Sequence, residues 1–313
     1  MNRISITEQQ KNKIEEIYWK WFSTRHLKKF KNIIDEDTIL KKIVDEDLDI
    51  TEESIKAFLL ADTNELTKIK KKIDDFQEDI SDESKKYILD RYNNFRNSQA
   101  GKIVEVFGVL TCPYCNQNYI NTVYDKNGRL HFRGDLDHYY NKSKYTALAI
   151  CLYNLIPTCK VCNQIKSDKE EKIQNPYDTS YTSKIKFKTE FDDQNDLDYL
   201  QGKSQNFNIV IDKTDLSEMD NNEIELFELE ERYNNLKRNA QEIIIKAKAY
   251  DIQYRKLLED KFFIEANDLE KYIFGYTDEH TDRELSRFNR DIMEEFKDAA
   301  AKGRKKAAGI RAA

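Results

Sequence analysis

The sequence predicts an α+β, mainly helical fold. Amphipathic stretches of helical period fill both flanks of the chain, and two Cys-x-x-Cys pairs, Cys112/Cys115 and Cys159/Cys162, enclose a shorter β-containing insert. The 313 residues include 39% hydrophobic and 12% aromatic side chains, enough to build a real core, while 35% charged residues predict a heavily solvated surface.

The elements follow in order. Thr7-x-x-Gln10 reads as a capping box, and Ile14, Ile17, Tyr18, Trp21 and Phe22 then recur on one helical face. Further helices are expected at about Asp37 to Val44, Thr51 to Leu60, Asn64 to Phe76 and Ser81 to Phe95, with Thr51 and Ser81 as N-caps. Trp19, Trp21 and Phe22 lie among Lys20, Arg25, Lys28 and Lys29, but the helical spacing assigns Trp21 and Phe22 to the core rather than to stacking on bases. Ser98 to Gly101 should break the helix, and Ile103 to Leu110 reads as a strand leading into the first cysteine pair.

Within the insert, Asn127-Gly128 between two β-prone segments is a hairpin signal. A helix is expected to run two or three turns beyond Asn163 and to stop before Asn175-Pro176. Two strands follow, near Ile185 to Phe191 and Asn206 to Ile211, then helices over Asn222 to Lys261 and Thr281 to Phe296. Beyond them the Ala-, Lys- and Arg-rich stretch 299–313 reads as a disordered basic tail or a cloning remnant.

Four cysteines in two such pairs suit a structural, tetrahedral Zn²⁺, since each tight turn offers two sulfurs and four sulfurs leave no open position. The fifth, Cys151, sits in an apolar run and reads as a small buried hydrophobe. No apolar run approaches the ~20 residues that span a bilayer, and the N-terminus lacks a secretory pattern, so a soluble, cytoplasmic protein is expected. The net charge of −6 argues against a protein that coats nucleic acid over its whole surface. Between Cys112 and Glu170, however, Lys and Arg outnumber Asp and Glu by eight to five, which would draw a phosphate backbone to that region. No Walker loop or dinucleotide fingerprint is present, so any ATP dependence must come from a partner.

Between the cysteine pairs stand Asp135-Leu136-Asp137-His138, then Asn154-Leu155-Ile156-Pro157-Thr158-Cys159, then Cys162-Asn163-x-x-Lys166. This ordered set resembles the HNH endonucleases, which fold as a ββα-metal unit. The resemblance implies a nuclease core at 101–175, between a helical N-terminal domain at 1–100 and a mixed, mainly helical region at 176–298. It makes His138 the general base, an imidazole able to take a proton from water near neutrality. Asp137 and Asn163 become the ligands of a catalytic Mg²⁺ or Mn²⁺, and Asn154 the residue that holds the loop and orients the histidine. Lys166 and Lys169, three residues apart, are read as phosphate contacts on one helical face. Asp135 is left between a supporting role and that of a ligand, and His131, His26 and His280 read as structural.

The wider context, including Thr111 to Asn116, Asp135 to Tyr145 and Leu285 to Ile292, is similar to the HNH effector subunits of Septu and retron-type antiphage systems. That likeness implies an ABC/SMC-like ATPase partner and DNA as substrate, with RNA such as tRNA, or an inactive zinc-stabilised nucleic-acid-binding subunit, as alternatives. Prolines expected after the Asp-His-aromatic run and after Tyr145 are replaced by Asn141 and Thr146, which loosens the loop over the site without removing a proposed ligand.

Overall fold

The computed structural model describes residues 2–132, 134–170, 172–180, 182–191, 198–250 and 252–297, so the 299–313 tail and the side chain of His131 lie outside the described residues. Two compact units emerge, residues 2–182 and residues 183–297. The helical flank and the cysteine-bracketed region therefore form one folding unit.

In the first unit the capped helices form where their signals stand. Helix α1 (Glu8–Arg25) opens on the Thr7/Gln10 capping box and buries Ile14, Tyr18, Trp21 and Phe22. After α2 (Leu27–Glu36), Asp37 caps α3 (Thr38–Val44), Thr51 caps α4 (Glu52–Leu59) and Asp62 caps α5 (Thr63–Asp75). Ser81 caps α6 (Asp82–Ser98). Tyr18, Trp21 and Phe95 pack ring to ring at 5.0–5.5 Å, the geometry of edge-on and tilted aromatic pairs. Trp21 and Phe22 are core residues, as is His26 against Trp21.

One expectation is overturned here. Residues 103–110 are not a strand: α7 (Ala100–Phe107) is a helix that buries Ile103, Val104 and Phe107 and packs on α1. It stops because Gly108 adopts φ +69°, a left-handed C-cap that other residues resist. An apolar β-branched run is compatible with either state, and the face it shares with α1 decided the outcome.

Beyond α7, β1 (Val123–Tyr124) and β2 (Leu130–Phe132) form the expected hairpin, with Gly128 at φ +74°. Asp125 Oδ1 accepts from the Asn127 and Arg129 amides and closes a loop longer than a two-residue turn. Next, β3 (Asp135–His138) pairs antiparallel with β4 (Leu155–Thr158), and α8 (Lys160–Lys166) follows directly. This is a β–β–α succession. Pro157 is tolerated because, among the described residues, β4 pairs on one side only, so no second ladder needs its missing N–H. Between β3 and β4 the chain makes 3₁₀ turns at Thr146–Ile150 and Leu152–Asn154, and the first packs along α6.

The second unit pairs β5 (Phe187–Glu190) with β6 (Asn208–Ile211), close to the expected strands. Its helices are α9 (Glu218–Leu226), α10 (Leu229–Asn234), α11 (Lys237–Ala249), α12 (Ile252–Phe262), α13 (Ala266–Phe274) and α14 (286–297). Its core stacks Phe187 on Tyr233 at 4.0 Å, with Phe288 against both. No helix among the described residues is long and apolar enough to cross a membrane.

Candidate active site

The two cysteine pairs converge. All four Sγ atoms lie within 4.8 Å of one another and all four residues are buried. A tetrahedron with Zn–S bonds of about 2.3 Å has edges of about 3.8 Å, and the Cys115–Cys159 sulfurs are 3.9 Å apart. Four buried thiols at this spacing are close enough to bind a metal such as zinc. Burial, and then the neighbouring sulfurs, hold the Cys112 thiol well above its ordinary range, so a cation is what such a set needs in order to ionise.

Local structure builds each pair. Asn116 takes a left-handed φ of +51°, its amide donating to the Cys112 carbonyl at 2.8 Å, which closes the first turn. Cys159 is the N-cap of α8, its sulfur accepting from the Cys162 amide at 3.4 Å, so the second pair sits on the helix start. Thr158 Oγ1 lies 3.2 Å from Cys112 Sγ and ties the end of β4 to the first pair. The cluster thus clamps the β3–β4–α8 unit where β4 turns into α8. Gly134, one residue before β3, has no room for a side chain: a Cβ there would lie 2.7 Å from Ile120 Cβ and 3.0 Å from the Thr158 carbonyl.

Beside the cluster is a groove of about 430 Å³, lined by Asp135 and His138 of β3, Asn141 and Lys142 of the loop after β3, Asn163 and Gln164 of α8, and Tyr92 and Arg96 of α6. His138 is 6% exposed, and its Nε2 lies 3.2 Å from the Ala149 carbonyl. A carbonyl only accepts, so Nε2 carries the proton and Nδ1 is the ring's acceptor. Burial, and next the charge of Lys142, push this imidazole down to about 3, so it is neutral through the physiological range. Its ring packs on Tyr92 at 4.4 Å, and Lys142 Nζ stands 5.3 Å from that same tyrosine ring.

Asn154 is fully buried and holds the loop in three bonds. Its Oδ1 accepts from the Tyr140 amide at 2.7 Å, and its Nδ2 donates to the carbonyls of Tyr140 and Leu148 at 3.1 and 3.0 Å. Leu148 precedes Ala149, whose carbonyl fixes the histidine. Asn154 therefore ties Tyr140 to Leu148, one residue before that carbonyl.

Three expectations change. Asp137 does not offer a free carboxylate: Tyr114 donates to its Oδ2 at 2.8 Å, and Lys166 Nζ lies 3.1 Å from Oδ2 and 3.3 Å from Oδ1. The carboxylate beside Asn163 is that of Asp135, whose Oδ2 accepts from Asn163 Nδ2 at 3.1 Å. Lys166 is not a surface phosphate contact; its side chain is 2% exposed, and besides Asp137 it donates to the His138 carbonyl at 2.7 Å. Lys169 is exposed but shares no helical face with it, because α8 ends at Lys166 and Ser167 turns the chain at φ +46°. The helix beyond Asn163 is accordingly shorter than its sequence suggested.

Sequence reasoning missed Tyr114, Tyr92, Arg96 and the Lys142 position over Tyr92. Tyr114 sits inside the first Cys-x-x-Cys and could have been suspected from that place; Tyr92 and Arg96 arrive from a helix some forty residues upstream, and nothing local points to them. Comparison with protein-family models, with curated proteins and with solved structures finds no match.

Proposed function

We propose that the chain is a metal-dependent endonuclease of the HNH type, acting on DNA as the nuclease effector of an antiphage system with an ATPase partner. The reading is carried by one observation: a neutral histidine at the end of β3, its Nε2 committed to a backbone carbonyl, lines the groove shared with Asp135 and Asn163, on a β–β–α unit clamped by four cysteines. The ordered motif supports it from the side of the sequence.

His138 Nδ1 is the acceptor for the proton of an attacking water, and Tyr92 together with the Ala149 carbonyl keeps the ring from turning. Asp135 and Asn163 are the residues that would hold Mg²⁺ or Mn²⁺, since the pair brings a hard carboxylate oxygen and an amide to one place in the groove. Held by these two residues, such an ion would supply Lewis-acid chemistry at the phosphodiester. Asp137, Lys166 and Tyr114 act underneath, fixing β3 to α8 so that His138 and Asn163 keep their spacing. The locked Asp137 also favours a second reading, a zinc-stabilised nucleic-acid-binding subunit that does not cut, because the carboxylate beside the histidine is already satisfied.

The deciding experiment incubates purified protein with supercoiled plasmid and, in parallel, bulk tRNA, in Mg²⁺ or Mn²⁺, beside His138→Ala. Cutting by wild type and not by His138→Ala is the expected result, and the substrate cut chooses between DNA and RNA. Equal cutting by both proteins would refute the mechanism, and binding without cutting would establish the second reading. The partner belongs to the same proposal: co-expression with a neighbouring ATPase gene should yield a complex, and its absence would refute that part.

A further inference from the structure

We propose that Arg96, on α6 and outside the β–β–α unit, anchors the phosphate backbone of the substrate in the groove. This rests on the nuclease reading above and assigns to Arg96 the part that the sequence suggests for Lys166 and Lys169.

Tyr92, Asn93 and Arg96 occupy one face of α6, at the i, i+1, i+4 spacing, and all three line the groove that holds Asp135, His138 and Asn163. The reacting groups thus share the groove with a helix some forty residues upstream of β3. A groove that also presents Asp135 and Asp168 repels a phosphodiester unless cations answer them, and the Lys and Arg residues lining it among the described residues are Arg96 and Lys142. Lys166 is consumed by Asp137 and the His138 carbonyl, and Lys169 does not line the groove.

The Arg96 guanidinium lies 3.9 Å from Asp135 Oδ1, beyond hydrogen-bond distance, and the side chain is 45% exposed. Such a contact keeps the cation beside the proposed reaction centre without saturating its donors. Asp135 already takes a hydrogen bond from Asn163 on its other oxygen. A planar guanidinium with free N–H groups engages two oxygens of one phosphate, which a lysine ammonium cannot match in geometry. Lys142 stands differently, its ammonium over the Tyr92 ring, and is a secondary contact.

Contacts of this type go to the backbone and carry no sequence information, so the expected signature is electrostatic. Binding of a short fluorescent DNA duplex, and of labelled tRNA, is measured by anisotropy over a range of salt concentrations for wild type, Arg96→Ala and Arg96→Lys, with cleavage followed in parallel. Arg96→Ala should weaken binding about tenfold and reduce the slope of log K against log salt by about 1, with zinc content and melting temperature unchanged. Arg96→Lys should restore the slope but only part of the affinity, since the charge returns without the fork; a merely structural role would move neither slope nor rescue. An Arg96→Ala protein with wild-type affinity and slope overturns the assignment while leaving cleavage, and the nuclease reading, intact. Wild-type binding without cleavage overturns the nuclease reading, and the slope still decides Arg96. Wild-type protein that binds neither duplex nor tRNA overturns both.

Discussion

Lys166→Met separates a buried structural lysine from a surface phosphate contact. In the folded unit Lys166 and Asp137 are 2% and 3% exposed, and the ammonium sits 3.1 Å from one carboxylate oxygen and 2.7 Å from the His138 carbonyl. Methionine fills much of the same volume but removes the charge, leaving the Asp137 carboxylate buried beside the Tyr114 hydroxyl without its cation. Burial already pushes the Asp137 carboxyl upward, and Lys166 is the largest opposing influence. Breaking a buried pair by deleting one partner costs about 3–5 kcal/mol. At ~2–4 °C per kcal/mol for a unit of this size, melting should fall by about 6–20 °C.

The second arm replaces both partners. Asp137→Leu with Lys166→Met removes the stranded charge, and apolar replacement of an entire buried pair is commonly near neutral, so the double variant should recover most of the loss. Circular dichroism melts of the wild type, the two singles and the double close the cycle, with a coupling of ~2 kcal/mol or more expected. A Lys166→Met protein that melts within about 2 °C of wild type, yet binds substrate more weakly, would refute the buried-pair argument and return Lys166 to the phosphate.

Two further outcomes follow from other parts of the chain. Wild-type protein should carry one tightly held zinc by metal analysis, and Cys159→Ser should lose it together with cooperative melting, because the cluster joins the first knuckle to the start of α8; a zinc-free protein of unchanged stability would refute the clamp. In the second unit burial pushes Asp291 up to about 6 despite Arg287, Arg290 and Lys186 nearby, while its Oδ2 accepts from the Phe187 amide at 3.0 Å. A carboxyl whose folded value is raised keeps its proton in the folded state between about 4 and 6, so stability is lost as pH rises through that window. Asp291→Asn keeps an acceptor for Phe187 and should stabilise by about 1–3 kcal/mol at pH 7.5, with no gain near pH 4; equal melting differences at both pH values would refute it.

Much of the helical framework was legible because its start signals are chemical. Thr7, Thr51 and Ser81 are the caps that their side chains suggest, each with an observed bond to an early helix amide. Helix α2 went unseen for the converse reason: it starts after His26, which makes no side-chain cap bond. The strand expected at 103–110 failed because periodicity in a short apolar run cannot separate a strand from a helix, whereas packing on α1 can. At the site, residues whose work is local were readable, including the four cysteines and the Asn154 loop. Lys166 reads as a surface cation in the sequence because its partners, Asp137 and the His138 carbonyl, stand 29 and 28 residues away.

The same dependence bears on where the functional unit ends. The segment between β3 and β4 is held by the N-terminal helices: Tyr18 donates to the Ile150 carbonyl, Tyr145 to Asp74 at 2.8 Å, Tyr153 to Glu15 at 2.8 Å and Cys151 to the Phe58 carbonyl at 3.3 Å. Ala149 lies in that segment, and its carbonyl sets the tautomer of His138. A fragment of residues 101–175 keeps every motif residue and all four cysteines, yet loses those four bonds, the Tyr92 face of His138 and the Arg96 wall. It should bind zinc but melt without a sharp transition, and its histidine should show a titration much closer to the unperturbed value of about 6.5 than in the full chain, because burial is what depresses it. A fragment that melts cooperatively and keeps the depressed histidine would show that the motif region is self-sufficient. Failure of the fragment, with the 2–182 unit intact, would show that the helices residue by residue least related to the motif are what turn it into a site.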